Sequence, residues 1–293
     1  MQMNKTLIIK LAALGDVLRT TPLLHRLDGK ITWVTKKSAF PLIKSDSIGR
    51  LIDIDDAVKI LQLKKENFDA VISLDEDIQS TKFASEVRTK KLIGAYFKDG
   101  KPVYTPESSG WFDMSLISKY GVEKANELKW KNKLSYQEHI FRMMNLDFRG
   151  EEYILSQKPK EIFANIVGIE KRAGGVWPAK RWFGYDSLAE KLEKDGATVK
   201  ILGQREHLED YIADINCCST LVCGDTLAMH IALALKKHVI GLFTCTSVTE
   251  IFDYGRLTKI VNPNLENCFY TRKTEINKTI PVNLVYDAVR RCR

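Results

Sequence analysis

The stretch TLIIKLAALGDVLRTTPLLHRL, residues 6–27, decides how the rest of the chain is read. TLIIKL is an apolar run of strand length, the chain turns at Gly15-Asp16, and the segment from Asp16 to Leu27 carries apolar residues at helical spacing. Strand, turn and helix in that order form the opening of a βαβ unit. The alternation continues outward: ITWVT and a short helix near Ala39, LIDI and a helix over Ala57 to Lys65, DAVISL and a helix over Ile78 to Val87, then KLIGA. A second series follows a polar stretch around residues 150–160. FANIVGI, ATVKILG, STLVCG and HVIGLF read as strands, with helices over Tyr185 to Lys194, His207 to Asp214 and Leu227 to Leu235. The expected fold is therefore α/β, with two Rossmann-like domains over residues 1–155 and 156–293, each on a mostly parallel sheet. The last helical segment, Pro281 to Arg291, is amphipathic and free to pack back on the first domain. Phe97 to Tyr136, punctuated by Gly100, Pro102, Pro106 and Gly110, breaks the rhythm and reads as a long irregular insert.

The chain has 293 residues, 44% hydrophobic and 28% charged, which is ordinary for a globular protein and leaves no case for extensive disorder. No apolar run approaches the roughly 18 residues of a membrane span, and the start, interrupted by Asp16, does not read as a signal peptide, so a cytoplasmic protein is expected. The six cysteines, all in the last third, show no metal-ligand spacing and read as free thiols. A net charge of +8 favours anionic partners. Because Lys and Arg are scattered in pairs (Lys36-Lys37, Lys90-Lys91, Lys171-Arg172, Lys180-Arg181), and no nucleic-acid module is present, nucleic acid is not expected among them.

Four strand-end turns carry candidate chemistry, at the position where open α/β sheets bind ligands. The first holds Gly15 and Asp16; one glycine is too few for a dinucleotide loop, and Asp16 reads either as a helix cap or as a base. The second is GGVWPAKRWF, residues 174–183, where a glycine pair, Pro178 and the adjacent cations Lys180 and Arg181 suit a diphosphate, with Trp177 and Trp182 as packing anchors in the alternative reading. In the third, Asp225 and Thr226 stand at a helix start with His230 one turn on. The fourth, ILGQRE, offers Gly203 and Glu206, the latter as an acceptor for ribose hydroxyls. Asp75-Glu76-Asp77 reads as a solvated loop rather than a metal site.

Taken together, LAALGDVLRTTPLLHRL, GGVWPAKRWF, ILGQRE and GDTLAMHIALALKKHVIGLF resemble glycosyltransferase family 9, the ADP-heptose lipopolysaccharide heptosyltransferases, over nearly the whole chain. The resemblance implies a glycosyltransferase B-type fold, with an N-terminal acceptor domain and a C-terminal nucleotide-sugar domain facing a cleft. Asp16 then matches the catalytic base and Lys180 the cation on the donor phosphates. Gly15, Trp177, Gly203, Glu206, Asp225, Thr226 and His230 fall to donor binding. It further implies inverting, metal-independent transfer with no cofactor. The donor would be a nucleotide-diphosphate sugar, ADP-heptose for this family. The acceptor would be an anionic lipid-linked saccharide of lipopolysaccharide-core type, met at the inner face of the cytoplasmic membrane. Arg19, Lys36, Lys37, Arg88, Lys90, Lys91, Lys129, Lys131 and Lys133 are the basic residues that fit such an acceptor. One departure stands out: the family's Gly-Pro-Thr turn after the HVIGLF strand is Thr244-Cys245-Thr246 here. A catalytically inactive nucleotide-sugar-binding relative and a nucleotide-sugar epimerase of the same fold are the alternatives.

Overall fold

The computed structural model describes residues 4–160, 165–274 and 279–292. Phe163 and Ala164, at the head of the expected FANIVGI strand, lie outside the described residues, as do residues 1–3 of the start. The chain divides into two compact units, Met1–Ser156 and Gln157–Arg293.

In the N-terminal unit the elements run β1 (Lys5–Ile9), α1 (Leu14–Thr20), β2 (Lys30–Thr35), α2 (Phe40–Ile43), β3 (Arg50–Asp53), α3 (Ala57–Lys65), β4 (Asn67–Ser73), α4 (Ile78–Glu86), β5 (Arg88–Lys98) and β6 (Lys101–Tyr104). Their sheet has the order β3-β2-β1-β4-β5-β6 and is parallel except for the β5–β6 pair. β1 is central, and Leu7, Ile8 and Ile9 are all fully buried, which is why it reads as a continuous apolar run instead of an alternating one.

The segment expected to be irregular is built. Lys98 pairs with Lys101 across Asp99-Gly100, both at positive φ (50° and 81°), so the two residues close a tight hairpin. Three helices follow, α5 (Ser109–Ser115), α6 (Ile117–Lys131) and α7 (Tyr136–Met143). α6 is kinked at Gly121, whose φ of 81° suits a residue without Cβ. α7 starts with a reciprocal capping box between Ser135 and Glu138.

The C-terminal unit contains β7 (Ile166–Glu170), α8 (Tyr185–Lys194), β8 (Thr198–Ile201), α9 (Leu208–Asn216), β9 (Thr220–Gly224), α10 (Leu227–Ala234), β10 (His238–Phe243), β11 (Leu257–Val261), α11 (Leu265–Cys268) and α12 (Val282–Arg291). Its sheet is wholly parallel in the order β11-β10-β9-β7-β8. Val167, Ile169, Leu188, Leu192, Ile240 and Leu242 form its core. α12 belongs to that core: Val285 and Val289, four residues apart on one helical face, are fully buried in it. The indole of Trp182 donates to the Ile280 carbonyl over 3.0 Å just before this helix. The last helix, expected to be free for the N-terminal domain, thus spends its apolar face on its own unit.

Each sheet reverses its strand order once. In the first the chain steps from β1 outward to β2 and β3 and then returns to the other side of β1 with β4; in the second it steps from β7 to β8 and returns on the far side with β9. At such a reversal the loops leaving the two adjacent strands diverge and open a crevice at their carboxyl ends. Residues 10–16 follow β1 and residues 74–77 follow β4; residues 171–184 follow β7 and residues 225–226 follow β9.

Candidate functional site

In the N-terminal unit, α1 begins at Leu14 with Ala13 in the N-cap position, so Asp16 sits inside the first turn and not at the cap. Gly15 precedes it in the same turn. The Asp16 side chain retains 38% exposure; its Oδ1 lies 3.3 Å from Arg19 Nη1, and its carbonyl accepts from Thr20 Oγ1 over 2.8 Å. The Thr20 hydroxyl also meets Tyr136 Oη at 2.8 Å. Arg19 itself is buried, its guanidinium 4.2 Å from the Tyr136 ring, so it is a partner of Asp16 and not one of the surface cations it was grouped with.

The acidic run after β4 is not a solvated loop. Asp75 is buried and bridges two groups of the β1 turn: Lys10 Nζ lies 2.5 Å from its Oδ1, and the Leu11 amide donates to its Oδ2. Asp77 caps α4 by accepting from the Ser80 amide over 3.0 Å. Glu76 is half-buried and accepts from Ser115 Oγ at 3.2 Å. Burial pushes its carboxyl up to about 7, opposed by the Ser115 hydrogen bond and by the charges of Lys10 and Lys129. Burial alone would pull the Lys10 ammonium down, yet the carboxylates of Asp75 and Asp16 and the Tyr136 phenol hold it above its ordinary value. A run of three acids reads as solvated because charges are usually exposed; β1 is adjacent to β4, and the lysine at the end of β1 supplies the partner that no local pattern shows.

In the C-terminal unit the turns after β7, β9 and β10 meet. Lys180 ends the short helical turn Pro178–Lys180, and its Nζ donates to the Asp225 carbonyl (2.8 Å) and to Asp225 Oδ2 (3.0 Å). His230, buried in α10, brings Nε2 to 4.0 Å from Asp225 Oδ1. Gly224 is required here: a Cβ on it would stand 2.9 Å from the Lys180 carbonyl oxygen. Thr244 Oγ1 donates to the Ala179 carbonyl over 2.6 Å. The Trp177 ring packs edge-on against Tyr270 at 5.3 Å, and Trp182 is the buried anchor of the pair. Two hydroxyls at these strand ends, Thr226 Oγ1 and Thr246 Oγ1, are buried without a hydrogen-bond partner among the described residues. Thr226 occupies the N-cap position of α10 and makes no side-chain cap bond.

Lys180, Asp225, Thr226 and His230 are therefore gathered around the β7–β9 reversal, with Trp177 on the Lys180 loop. Gly203 and Glu206 lie on the loop after β8, the outer neighbour of β7; both are exposed, and a Cβ on Gly203 would meet nothing. In that same loop Arg205 is tied to Asp214, Nε to Oδ2 at 2.6 Å. Sequence reading passed over Glu170, buried at the end of β7, where it accepts from Arg172 and from the Tyr211 hydroxyl. Its only signal was a carboxylate at a strand end inside an apolar run.

No helix among the described residues is long and apolar enough to cross a membrane. Residues 205–280 match the model of glycosyltransferase family 9 (heptosyltransferase). No curated protein matches the chain. Among solved structures, a family 9 glycosyl transferase from Veillonella parvula is similar over 100% of this chain and 98% of its own, at 17% identity and a TM-score of 0.66. The E. coli heptosyltransferase WaaC with ADP-2-deoxy-2-fluoro heptose is similar over 98% and 99%, at 16% identity and a TM-score of 0.62. E. coli ADP-heptose lipopolysaccharide heptosyltransferase II is similar over 98% and 99%, at 16% identity and a TM-score of 0.54. The two-unit α/β fold is shared with all three.

Proposed function

From a chain whose C-terminal unit carries the glycosyltransferase family 9 segment, we propose an inverting, metal-independent glycosyltransferase that moves a sugar from a nucleotide-diphosphate donor, ADP-heptose in the first instance, to an anionic lipid-linked saccharide. The observation that carries the reading is the Lys180 pose. An ammonium has three donors; two are engaged by Asp225, and the third remains for a phosphate oxygen. The unpartnered hydroxyls of Thr226 and Thr246, at the ends of the neighbouring strands, are further donors suited to an anion.

In this mechanism the acceptor hydroxyl gives its proton to Asp16 as its oxygen attacks the anomeric carbon, and the bond from that carbon to the diphosphate oxygen breaks. One carboxylate suffices for a single displacement, and Asp16 keeps enough exposure to reach a hydroxyl. Negative charge accumulates on the leaving diphosphate, so Lys180 stabilises the transition state more than the ground state, and a protein cation fills the role a divalent metal plays elsewhere. The acceptor's anionic groups are matched by exposed cations of the N-terminal unit such as Lys36, Lys37, Arg88 and Lys91, and its lipid brings the protein to the inner face of the cytoplasmic membrane.

The test is a calorimetric titration of the full chain with a panel of nucleoside diphosphates, beside Lys180→Ala. Selective ADP binding that the variant weakens tenfold or more supports the donor site, whereas a variant that binds ADP like the native chain removes its basis. Turnover of ADP-heptose that collapses in EDTA would refute metal independence.

A further inference from the structure

The loop from β7 to α8 has little regular structure to hold it. Gly174, Gly175 and Val176 are exposed, and only the single turn Pro178–Lys180 is helical. A cation that must meet a diphosphate from such a loop needs fixing from outside, because misplacement by about 1 Å costs orders of magnitude in rate. The outside support is the residue that replaces the family pattern's glycine. Thr244, at the end of β10, is fully buried, and its hydroxyl reaches the Ala179 carbonyl, one residue before Lys180, at 2.6 Å. A glycine at this position offers no hydroxyl.

Thr244 is itself held firmly. Its carbonyl accepts from Asn262 Nδ2 at 3.0 Å and from Cys268 Sγ at 3.3 Å. The next carbonyl, of Cys245, accepts from the Tyr270 amide at 2.6 Å. Tyr270 in turn packs against Trp177, at the start of the helical turn. The turn is thus supported along its length: Trp177 by Tyr270, Ala179 by Thr244, and Lys180 by Asp225.

We infer that Thr244 is a positioning residue for donor binding, whose hydroxyl fixes Ala179 and thereby holds the Lys180 ammonium where a donor diphosphate meets it. The inference rests on the assignment of Lys180 to the donor diphosphate. It gives the Thr244-Cys245-Thr246 departure a role: the turn transmits the rigidity of the 262–270 segment to the cation loop.

The experiment titrates the full chain with ADP in the native form and in Thr244→Val, Thr244→Ala, Thr244→Ser, Lys180→Ala and the double variant Thr244→Val/Lys180→Ala, with thermal unfolding recorded for each. Val keeps the volume without the hydroxyl, Ala removes both, and Ser keeps the hydroxyl. Val and Ala are expected to weaken ADP roughly tenfold, the scale of one buried hydrogen bond, with Ser restoring affinity to within about threefold of native. On the Lys180→Ala background the Val substitution should weaken ADP no further, while any loss of thermal stability persists. Native affinity in Val and Ala overturns the inference, as does a loss that is equally large without Lys180, since a purely structural role gives that result. Unchanged ADP binding in Lys180→Ala itself overturns the underlying assignment, and the inference with it.

Discussion

Asp75→Ala tests the buried pair at the strand reversal of the N-terminal unit. In the native chain the Lys10 and Asp75 side chains are only 7% and 10% exposed and lie 2.5 Å apart, and the carboxylate also receives the Leu11 amide. Removing the carboxylate leaves a buried ammonium and a backbone N–H without their acceptor. Breaking one side of a buried pair costs about 3–5 kcal/mol. At roughly 2–4 °C per kcal/mol for a unit of this size, that lowers the melting temperature by about 6–20 °C. The loss has a pH signature. With Asp75 present the Lys10 pKa is raised, so its contribution is complete below the unfolded value of 10.5 and is lost as pH climbs toward the folded one. Without Asp75, burial dominates and depresses the Lys10 pKa, so the variant regains stability as pH rises through that lowered value. Burial also raises the Asp75 carboxyl against the pull of Lys10, so the sign is fixed on the alkaline side: from pH 7 toward pH 10 the deficit shrinks. Lys10→Met/Asp75→Leu, which removes both charges, should recover most of the loss. Native-state hydrogen exchange at the β1 and β4 amides reads this unit separately from the other. A deficit below about 1 kcal/mol at pH 7, or a double variant no more stable than Asp75→Ala, would rule out a buried ion pair here.

Gly224→Ala should push back the Lys180 turn, because the new Cβ meets a backbone oxygen at 2.9 Å; calorimetry should show ADP affinity falling at least tenfold, while stability falls by about 1–3 kcal/mol. Glu76, with its carboxyl raised to about 7, favours the folded state when protonated, so native stability drops as pH rises from 4.5 to 7. Glu76→Gln should flatten that slope in denaturant titrations at several pH values. Ser135→Ala removes half of the α7 capping box and should cost about 1 kcal/mol, seen as a shift in the urea midpoint at constant m-value.

Much of the fold was legible because the parallel sheets bury their strands on both faces and so leave plain apolar runs, and because helices such as Ala57–Lys65 and Tyr185–Lys194 carry their period in the sequence. In the insert, prolines and glycines read as breaks and mask the regular structure between them. Asp99-Gly100 between two β-prone runs is a hairpin signal, and Ser135 with Glu138 is a helix start, so both were readable. The candidate site was legible as residues but not as contacts. Lys180 and Asp225 stand 45 positions apart, and only the adjacency of β7 and β9 brings them together. Asp75 is the converse: its chemistry follows from a lysine 65 positions earlier, just past the end of the adjacent strand β1. The Thr244 hydroxyl bond was likewise invisible, since the substitution reads from sequence only as a departure from a pattern.

The most direct test of the account is a transfer assay with ADP-heptose and an anionic lipid-linked core saccharide, following ADP release and the glycosylated product for the native chain and for Asp16→Asn. Product with inverted anomeric configuration is expected, with turnover lost by at least about a hundredfold in the variant and ADP affinity unchanged by it. Full turnover in a folded Asp16→Asn protein, or a product with retained configuration, would contradict it.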